Sequence, residues 1–338
     1  MAVSERAFSG ARDLYGLDRD DVILCASPMH HSLGLRLALL PLLLGATSVI
    51  LPRFTPRQWL GAVREAGVTF TIAVSSHLER LLGAVAREPR GLDLDSLRTL
   101  VSSSALLKPA AKRACREVFG CRFHECYGTS EVGIVSDLGP ADGDHRDGSV
   151  GRALPYVELR IVDGAGAALP TGQVGEIVCR TKTAFSRYLD NPRATAESLA
   201  GGYFHTGDLG YLDDAGYLYL SGRRHELIIV GGINVYPQDV EAVLGDCPGV
   251  RECAVIGVED PYFGEAVLAV LVGEGGVLDI HAIRRACAAE LADYQQPMAY
   301  EVIDALPRNE LGKVMKPRLR ERFAGYDATA PLRRLMDY

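Results

Sequence analysis

Between residues 21 and 131, short apolar runs alternate with stretches whose apolar positions recur at helical spacing. Runs over 22–26, 46–51, 68–74 and 99–102 read as strands. Stretches over 35–44, 56–66, 77–86 and 109–119 read as helices, and Pro56 suits a first helical turn. Brief, wholly apolar strands separated by helices predict a parallel sheet covered on both faces. After Gly143 the pattern changes. Runs over 157–162, 175–180 and 216–220, with turn residues between them and little helix, predict a small distorted β-barrel or an antiparallel sheet. Past Gly222 a hairpin at Gly231-Gly232 leads into a helix opened by Pro237, with Val240, Val243 and Leu244 as its buried stripe. Strands over 253–258, 266–272 and 300–303 and a helix over 278–291 complete an α+β unit. The expected organisation is α/β throughout. One domain over 1–222 divides into a parallel α/β part (1–142) and a β-rich part (143–222), and a small α+β domain follows over 223–338.

Composition narrows the function classes. A chain of 338 residues with 48% hydrophobic and 23% charged residues is an ordinary globular one, and a net charge of -7 gives no reason to expect a nucleic-acid partner. The eight cysteines include no C-x-x-C pair, which reads as reduced, mostly buried thiols in a cytoplasmic protein. Cys121, His124 and Cys126 are close in sequence, but their spacing fits no common zinc pattern, and a buried strand accounts for them. The apolar run over 33–51 is interrupted by Arg36 and Pro41, and Gly45 ends its helical part. A buried helix and then a strand are expected there, with no membrane span. No cleavable leader is read in 1–11.

The chemistry concentrates in five short blocks. Tyr127-Gly128-Thr129-Ser130-Glu131 ends a predicted strand and opens a loop, a usual ligand position in an α/β sheet. Asp208 follows Thr206-Gly207, read as a turn that fixes an acidic side chain. Gly222-Arg223-Arg224-His225-Glu226 leads to Gly231-Gly232, and Leu306-Pro307-Arg308-Asn309-Glu310-Leu311-Gly312-Lys313 places a lysine after a glycine turn. Ser27-Pro28-Met29-His30-His31-Ser32-Leu33-Gly34 precedes the first apolar helix.

Together and in this order, the blocks resemble the adenylate-forming superfamily of acyl-CoA synthetases, peptide-synthetase adenylation domains and luciferases. The resemblance implies an ATP-dependent carboxylic acid–thiol ligase acting through an acyl-adenylate. ATP/AMP and Mg²⁺ would be its cofactors, and CoA or a carrier-protein phosphopantetheine its thiol acceptor. In this likeness Tyr127 stacks on adenine beside Gly128, Thr129 and Ser130 contact the phosphate, and Glu131 holds Mg²⁺. Asp208 takes the ribose hydroxyls and Arg223 assists at ribose and phosphate. Lys313 is the catalytic residue of adenylation, where a flexible point charge meets charge developing on carboxylate and α-phosphate. His30 and His31, with Ser103 and Ser104, line the acyl pocket. His225 is the hinge of a mobile C-terminal domain, and Gly231 and Gly232 face the thiol tunnel.

The sequence also departs from that pattern. The family's Ser/Thr/Gly-rich loop ending in Pro-Lys-Gly, which holds the β- and γ-phosphates, does not occur in these 338 residues. The resemblance therefore implies a family member missing its first α/β subdomain, with an exposed apolar face near the helix over 35–44. A complementing N-terminal polypeptide or self-association is expected to cover that face. Ser102-Ser103-Ser104-Ala105-Leu106 stands in place of a glycine-rich loop, and Arg187 in place of a glycine before Tyr188. Gln295 replaces a common lysine, and His225 a usual Asp or Lys. The alternative reading is a non-catalytic protein that binds AMP or an acyl-adenylate, or serves as an interaction partner.

Overall fold

The structure, a computed structural model, describes residues 5–87, 93–275, 278–310 and 312–329. Leu311 of the last block lies outside the described residues. The chain divides into two compact units, one of Met1–Thr206 with Gly210–Leu220 and one of Gly207–Leu209 with Ser221–Tyr338.

The first unit is built on a seven-stranded sheet. Strands β1 (Val22–Cys25), β2 (Thr47–Ile50), β3 (Phe70–Val74), β4 (Thr99–Ser103) and β5 (Arg122–Thr129) are parallel neighbours in the order β2-β1-β3-β4-β5. Two antiparallel strands, β6 (Gly133–Leu138) and β7 (Arg152–Ala153), extend it past β5. Helices α1 (Glu5–Tyr15), α2 (Ser32–Leu44), α3 (Pro56–Ala66), α4 (Ser75–Arg87) and α5 (Pro109–Phe119) complete this layer. Adjacent strand residues point to opposite faces, and both faces are apolar. Leu24 packs with Trp59, Leu78, Leu81 and Phe119, whereas Ile23 and Cys25 pack with Tyr15, Leu37 and Leu40. That is why the strands read as unbroken apolar runs.

A fully buried ion pair ties α5 to β5. Lys112 is 0% and Glu125 1% exposed, and each has a further backbone partner. Lys112 Nζ donates to Ser149 O at 2.9 Å, and Leu107 N donates to Glu125 Oε1 at 2.9 Å. Burial pushes the Glu125 carboxyl up, and Lys112 pulls it back down. The pair lies two residues before Tyr127, so it fixes the strand that delivers the first motif.

Cys121, His124 and Cys126 fall on or beside β5. His124 Nδ1 is 2.8 Å from Asp137 Oδ2, and Cys126 is buried. All eight cysteines are free thiols. Among the described residues, no helix is long and apolar enough to cross a membrane. At the end of α2 and on the edge strand β2, Leu42, Leu43 and Ile50 are exposed.

A four-stranded sheet follows, with β8 (Val157–Val162), β9 (Gly175–Thr181), β10 (Phe204–Leu212) and β11 (Leu218–Arg223) in the order β11-β10-β9-β8. A short helix, α6 (Pro192–Ser198), precedes β10. The turn expected at Thr206-Gly207 is instead strand interior. Gly207 has φ +71°, and this single left-handed residue bends β10 without ending it. The strand expected over 216–220 starts later and runs to Arg223, because Asp213 closes a turn by accepting from Ala215 N and Tyr217 N.

The second unit has a five-stranded sheet. The strands are β12 (Ile228–Val230), β13 (Ile233–Val235), β14 (Val250–Asp260), β15 (Gly264–Gly273) and β16 (Ala299–Val302). Alternate residues of the β14–β15 hairpin feed two cores. Val255, Val267 and Leu271 pack with Val240 and Leu244 of α7 (Pro237–Gly245) and Ile283 of α8 (Ile280–Glu290). Ile256, Leu268 and Val270 pack with Leu319 of α9 (Lys316–Arg322).

Candidate functional site

The Tyr127–Glu131 block occupies a hairpin. Strand β5 runs on to Thr129, and after residues 130–132 the chain returns as β6. The register shifts between Tyr127 and Gly128, where a Cβ on Gly128 would lie 2.0 Å from Gly133 O. Glycine is therefore obligatory at that close approach. The turn is strapped from two sides. From α2, Ser32 Oγ lies 2.8 Å from Ser130 Oγ and Arg36 Nη2 donates to Ser130 O at 3.1 Å. From the segment after β9, Thr183 Oγ1 donates to Val132 O at 2.6 Å and Phe185 N to Glu131 O at 2.7 Å. Tyr188 donates its hydroxyl to Glu131 Oε1 at 3.0 Å.

Two features of this turn fit a phosphate and a hard divalent ion. Thr129 Oγ1 is buried without a hydrogen-bond partner among the described residues, a costly state for a hydroxyl unless a ligand completes it. Glu131 has one carboxylate oxygen oriented by Tyr188, and a single carboxylate plus phosphate oxygens is a common donor set for Mg²⁺. Tyr127 is buried and packs with Val132, Val135 and Leu154, so the structure gives it a core role whatever it does for a ligand.

The residues expected at the acyl pocket lie at the start of α2 and the end of β4. His31 is the N-cap position of α2, its ring 4.4 Å from that of His30, and the next residue is the Ser32 that meets Ser130. A Cβ on Gly34 would lie 2.2 Å from Pro28 O, so that glycine seats α2 against the preceding segment. Ser103 ends β4, and Ser104 adopts φ +76°, a left-handed conformation that favours glycine.

In the second unit, Arg223 Nε lies 3.1 Å from Asp208 Oδ1, and Asp208 is 9% exposed. Lys313 sits in a tight turn, where its N donates to Asn309 Oδ1 at 2.9 Å and Asn309 N donates to Lys313 O at 2.9 Å. Burial lowers the Lys313 pKa, and the Arg223 charge lowers it further, while Glu226 and Asp208 oppose the shift. Lys313, Asp208 and Arg223 are thus neighbours in one electrostatic field. Lys316 spans Glu226 at 3.2 Å and Glu241 at 2.8 Å, which anchors the short turn that carries His225. Gly231 and Gly232 have φ +57° and +85° and form the two-residue loop between β12 and β13.

Sequence reading passed over Arg36, Ser32, Thr183 and Tyr188 as parts of the site. Arg36 left one signal, as the lone charge in an apolar helix. The others pair with residues remote in sequence, which no periodicity reveals.

Comparison with known proteins bears on this arrangement. The AMP-binding enzyme family matches residues 2–189, and the AMP-binding enzyme C-terminal domain matches residues 239–313. The chain belongs to the AMP-binding enzyme family. It is 37% identical to the indoleacetate–CoA ligase of Aromatoleum aromaticum over 316 residues, covering 91% of this chain and 61% of that protein. It is 33% identical to the fatty acid–[acyl-carrier-protein] ligase ScoC of Streptomyces coeruleorubidus, covering 97% of this chain and 65% of that protein. Among solved structures, the amide bond synthetase McbA of Marinactinospora thermotolerans superposes with a TM-score of 0.86 at 35% identity, covering 94% of this chain and 64% of that one. The chain thus spans less than two thirds of the length of these relatives. The mixed α/β fold with a parallel sheet and a C-terminal domain is the one such structures share.

Proposed function

We propose that this chain carries the adenylate-binding and acyl-transferring part of an ATP-dependent carboxylic acid–thiol ligase. The observation that carries the reading is the unpartnered Thr129 hydroxyl beside Glu131, in a turn strapped from both sides. In the first half-reaction a carboxylate oxygen attacks the α-phosphorus of ATP. The bond to the β-bridging oxygen breaks, and pyrophosphate leaves. Thr129 and Ser130 hold the phosphate, Glu131 would hold Mg²⁺, and the ion would neutralise charge on the phosphate oxygens. Asp208 accepts hydrogen bonds from the ribose hydroxyls, with Arg223 beside it, and Lys313 stabilises charge developing on the reacting oxygens. In the second half-reaction a thiol sulfur attacks the acyl carbon, its proton leaves to solvent, and AMP departs. CoA and a carrier-protein phosphopantetheine arm are both open as acceptors, with Gly231 and Gly232 leaving room for the arm and His225 as the hinge between the steps.

His30, His31, Ser103 and Ser104 shape the acid's pocket in this reading. The domain limits we infer are 1–222 and 223–338. The exposed Leu42, Leu43 and Ile50 mark the face for a complementing N-terminal polypeptide or a second copy of the chain.

The test is a pair of half-reactions, pyrophosphate exchange and thioester formation from a synthetic acyl-adenylate. Both are run on the chain with and without an added N-terminal α/β fragment from a relative. Lys313→Ala should cost about 10²–10³ in pyrophosphate exchange and leave thioester formation largely intact. Equal loss of both would contradict the role given to Lys313. Absence of both half-reactions, with adenylate still bound, would favour a binding protein.

A further inference from the structure

We infer that Arg36 is a phosphate ligand of the nucleotide site, a binding residue beyond the five-residue motif. The inference rests on the nucleotide reading of Tyr127–Glu131 given above. Arg36 is the only charged residue of α2, in Ser-Leu-Gly-Leu-Arg-Leu-Ala-Leu-Leu-Pro-Leu-Leu-Leu. It stands one helical turn after Ser32, so both side chains lie on one face of the helix, and both reach Ser130. A guanidinium has five N–H donors, and among the described residues the single hydrogen bond of Arg36 goes to Ser130 O. Among the described residues no carboxylate forms an ion pair with it. Its surroundings are apolar enough that burial lowers its pKa, and the charge of Glu131 works in the opposite direction.

A partly buried cation whose hydrogen bond to Ser130 O is exposed keeps donors for a ligand that enters from solvent. A purely structural strap to Ser130 O needs no charge, as Thr183 demonstrates with a neutral hydroxyl on Val132 O. The charge is accounted for if an anion enters beside it. Its surroundings select the type of anion. A Cβ built on Gly133 would lie 3.7 Å from Arg36 Nη1 and 3.7 Å from Thr183 Oγ1, so the guanidinium extends across the turn. The same turn holds the unpartnered Thr129 hydroxyl and the Glu131 carboxylate. Hydroxyl, guanidinium and a carboxylate suited to a divalent ion form a donor set for a phosphate, and the planar guanidinium fork matches two phosphate oxygens at once.

The experiment is calorimetric titration of the full chain with AMP and with adenosine, on wild type, Arg36→Met and Arg36→Lys. Circular dichroism and thermal unfolding report whether each variant is folded. Adenosine reads the base and ribose contacts without phosphate. Arg36→Met should weaken AMP by about 10- to 100-fold, the range for a hydrogen bond to a charged group, while adenosine affinity stays within about twofold. Arg36→Lys should recover part of the AMP affinity, because it keeps the charge and loses the two-pronged fork. Equal loss of AMP and adenosine in Arg36→Met would make Arg36 structural and overturn the inference. Unchanged AMP binding by a folded Arg36→Met would overturn it as well. Wild type binding neither ligand would sink the nucleotide reading itself, a result distinct from all of these.

Discussion

The Tyr188 hydroxyl donates to Glu131 Oε1 at 3.0 Å across 57 residues of sequence, linking the segment after β9 to the turn that ends β5. A carboxylate held at one oxygen has a fixed orientation for its other oxygen, which is what a single-carboxylate metal site needs. Tyr188→Phe removes only the hydroxyl. It should weaken Mn²⁺ binding in the presence of AMP by about 1 kcal/mol, roughly fivefold, read by electron paramagnetic resonance of free Mn²⁺. Equal or tighter Mn²⁺ binding would show that Tyr188 does not position Glu131 for a metal.

Ser104 adopts φ +76°, where an L side chain crowds its own backbone. Ser104→Gly should therefore raise the free energy of unfolding by about 0.5–1 kcal/mol, the relief of a left-handed residue less the added entropy of the unfolded chain. Urea unfolding measures it. A loss of stability would mean that the serine side chain makes contacts outweighing its backbone strain.

Lys112 and Glu125 are both buried, so removing one charge strands the other. Lys112→Met should cost about 3–5 kcal/mol in urea unfolding, and Lys112→Met with Glu125→Leu should recover most of it. A single variant as stable as wild type would show that Glu125 takes up a proton at little cost.

His77 gives a pH signature. It is 6% exposed and stacked on Phe54 with ring centroids 3.6 Å apart, and burial, aided by the Arg80 charge, lowers its pKa from 6.5 to about 4. The folded-state pKa lies below the unfolded one, so the unfolded chain takes up the proton first as pH falls. The stability tied to neutral His77 is complete above about 6.5 and is lost as pH falls towards 4, by on the order of 3 kcal/mol in total. His77→Leu should flatten this part of the stability–pH curve measured by urea unfolding at pH 7, 5.5 and 4.5. An unchanged slope would assign the loss to other groups.

Much of the fold could be read from the chain because its core is two-sided. Where Leu24 faces one cluster and Ile23 and Cys25 the other, every residue of the strand is apolar and the run stands out. The β5–β6 hairpin was less visible, because its turning end is the polar block Gly128-Thr129-Ser130-Glu131, which reads as loop. Gly207 misled in the other direction. A glycine after threonine signals a turn by local preference, whereas the paired strands on either side of β10 keep the chain extended through it. At the site, sequence motifs pointed to residues but not to their supports. Arg36 meets Ser130 across 94 residues and Thr183 meets Val132 across 51, and such pairings arise only once the sheet has brought the segments together.

The central proposal is that this chain binds an adenylate, with Asp208 accepting from the ribose hydroxyls. Its most direct test is calorimetric titration of the full chain with a non-hydrolysable acyl-adenylate, on wild type and Asp208→Ala. The account predicts saturable one-to-one binding by wild type, and a loss of about 1.5–3 kcal/mol in Asp208→Ala as the ribose hydroxyls lose a charged acceptor. No saturable binding by a folded wild type, or undiminished binding by Asp208→Ala, would contradict it.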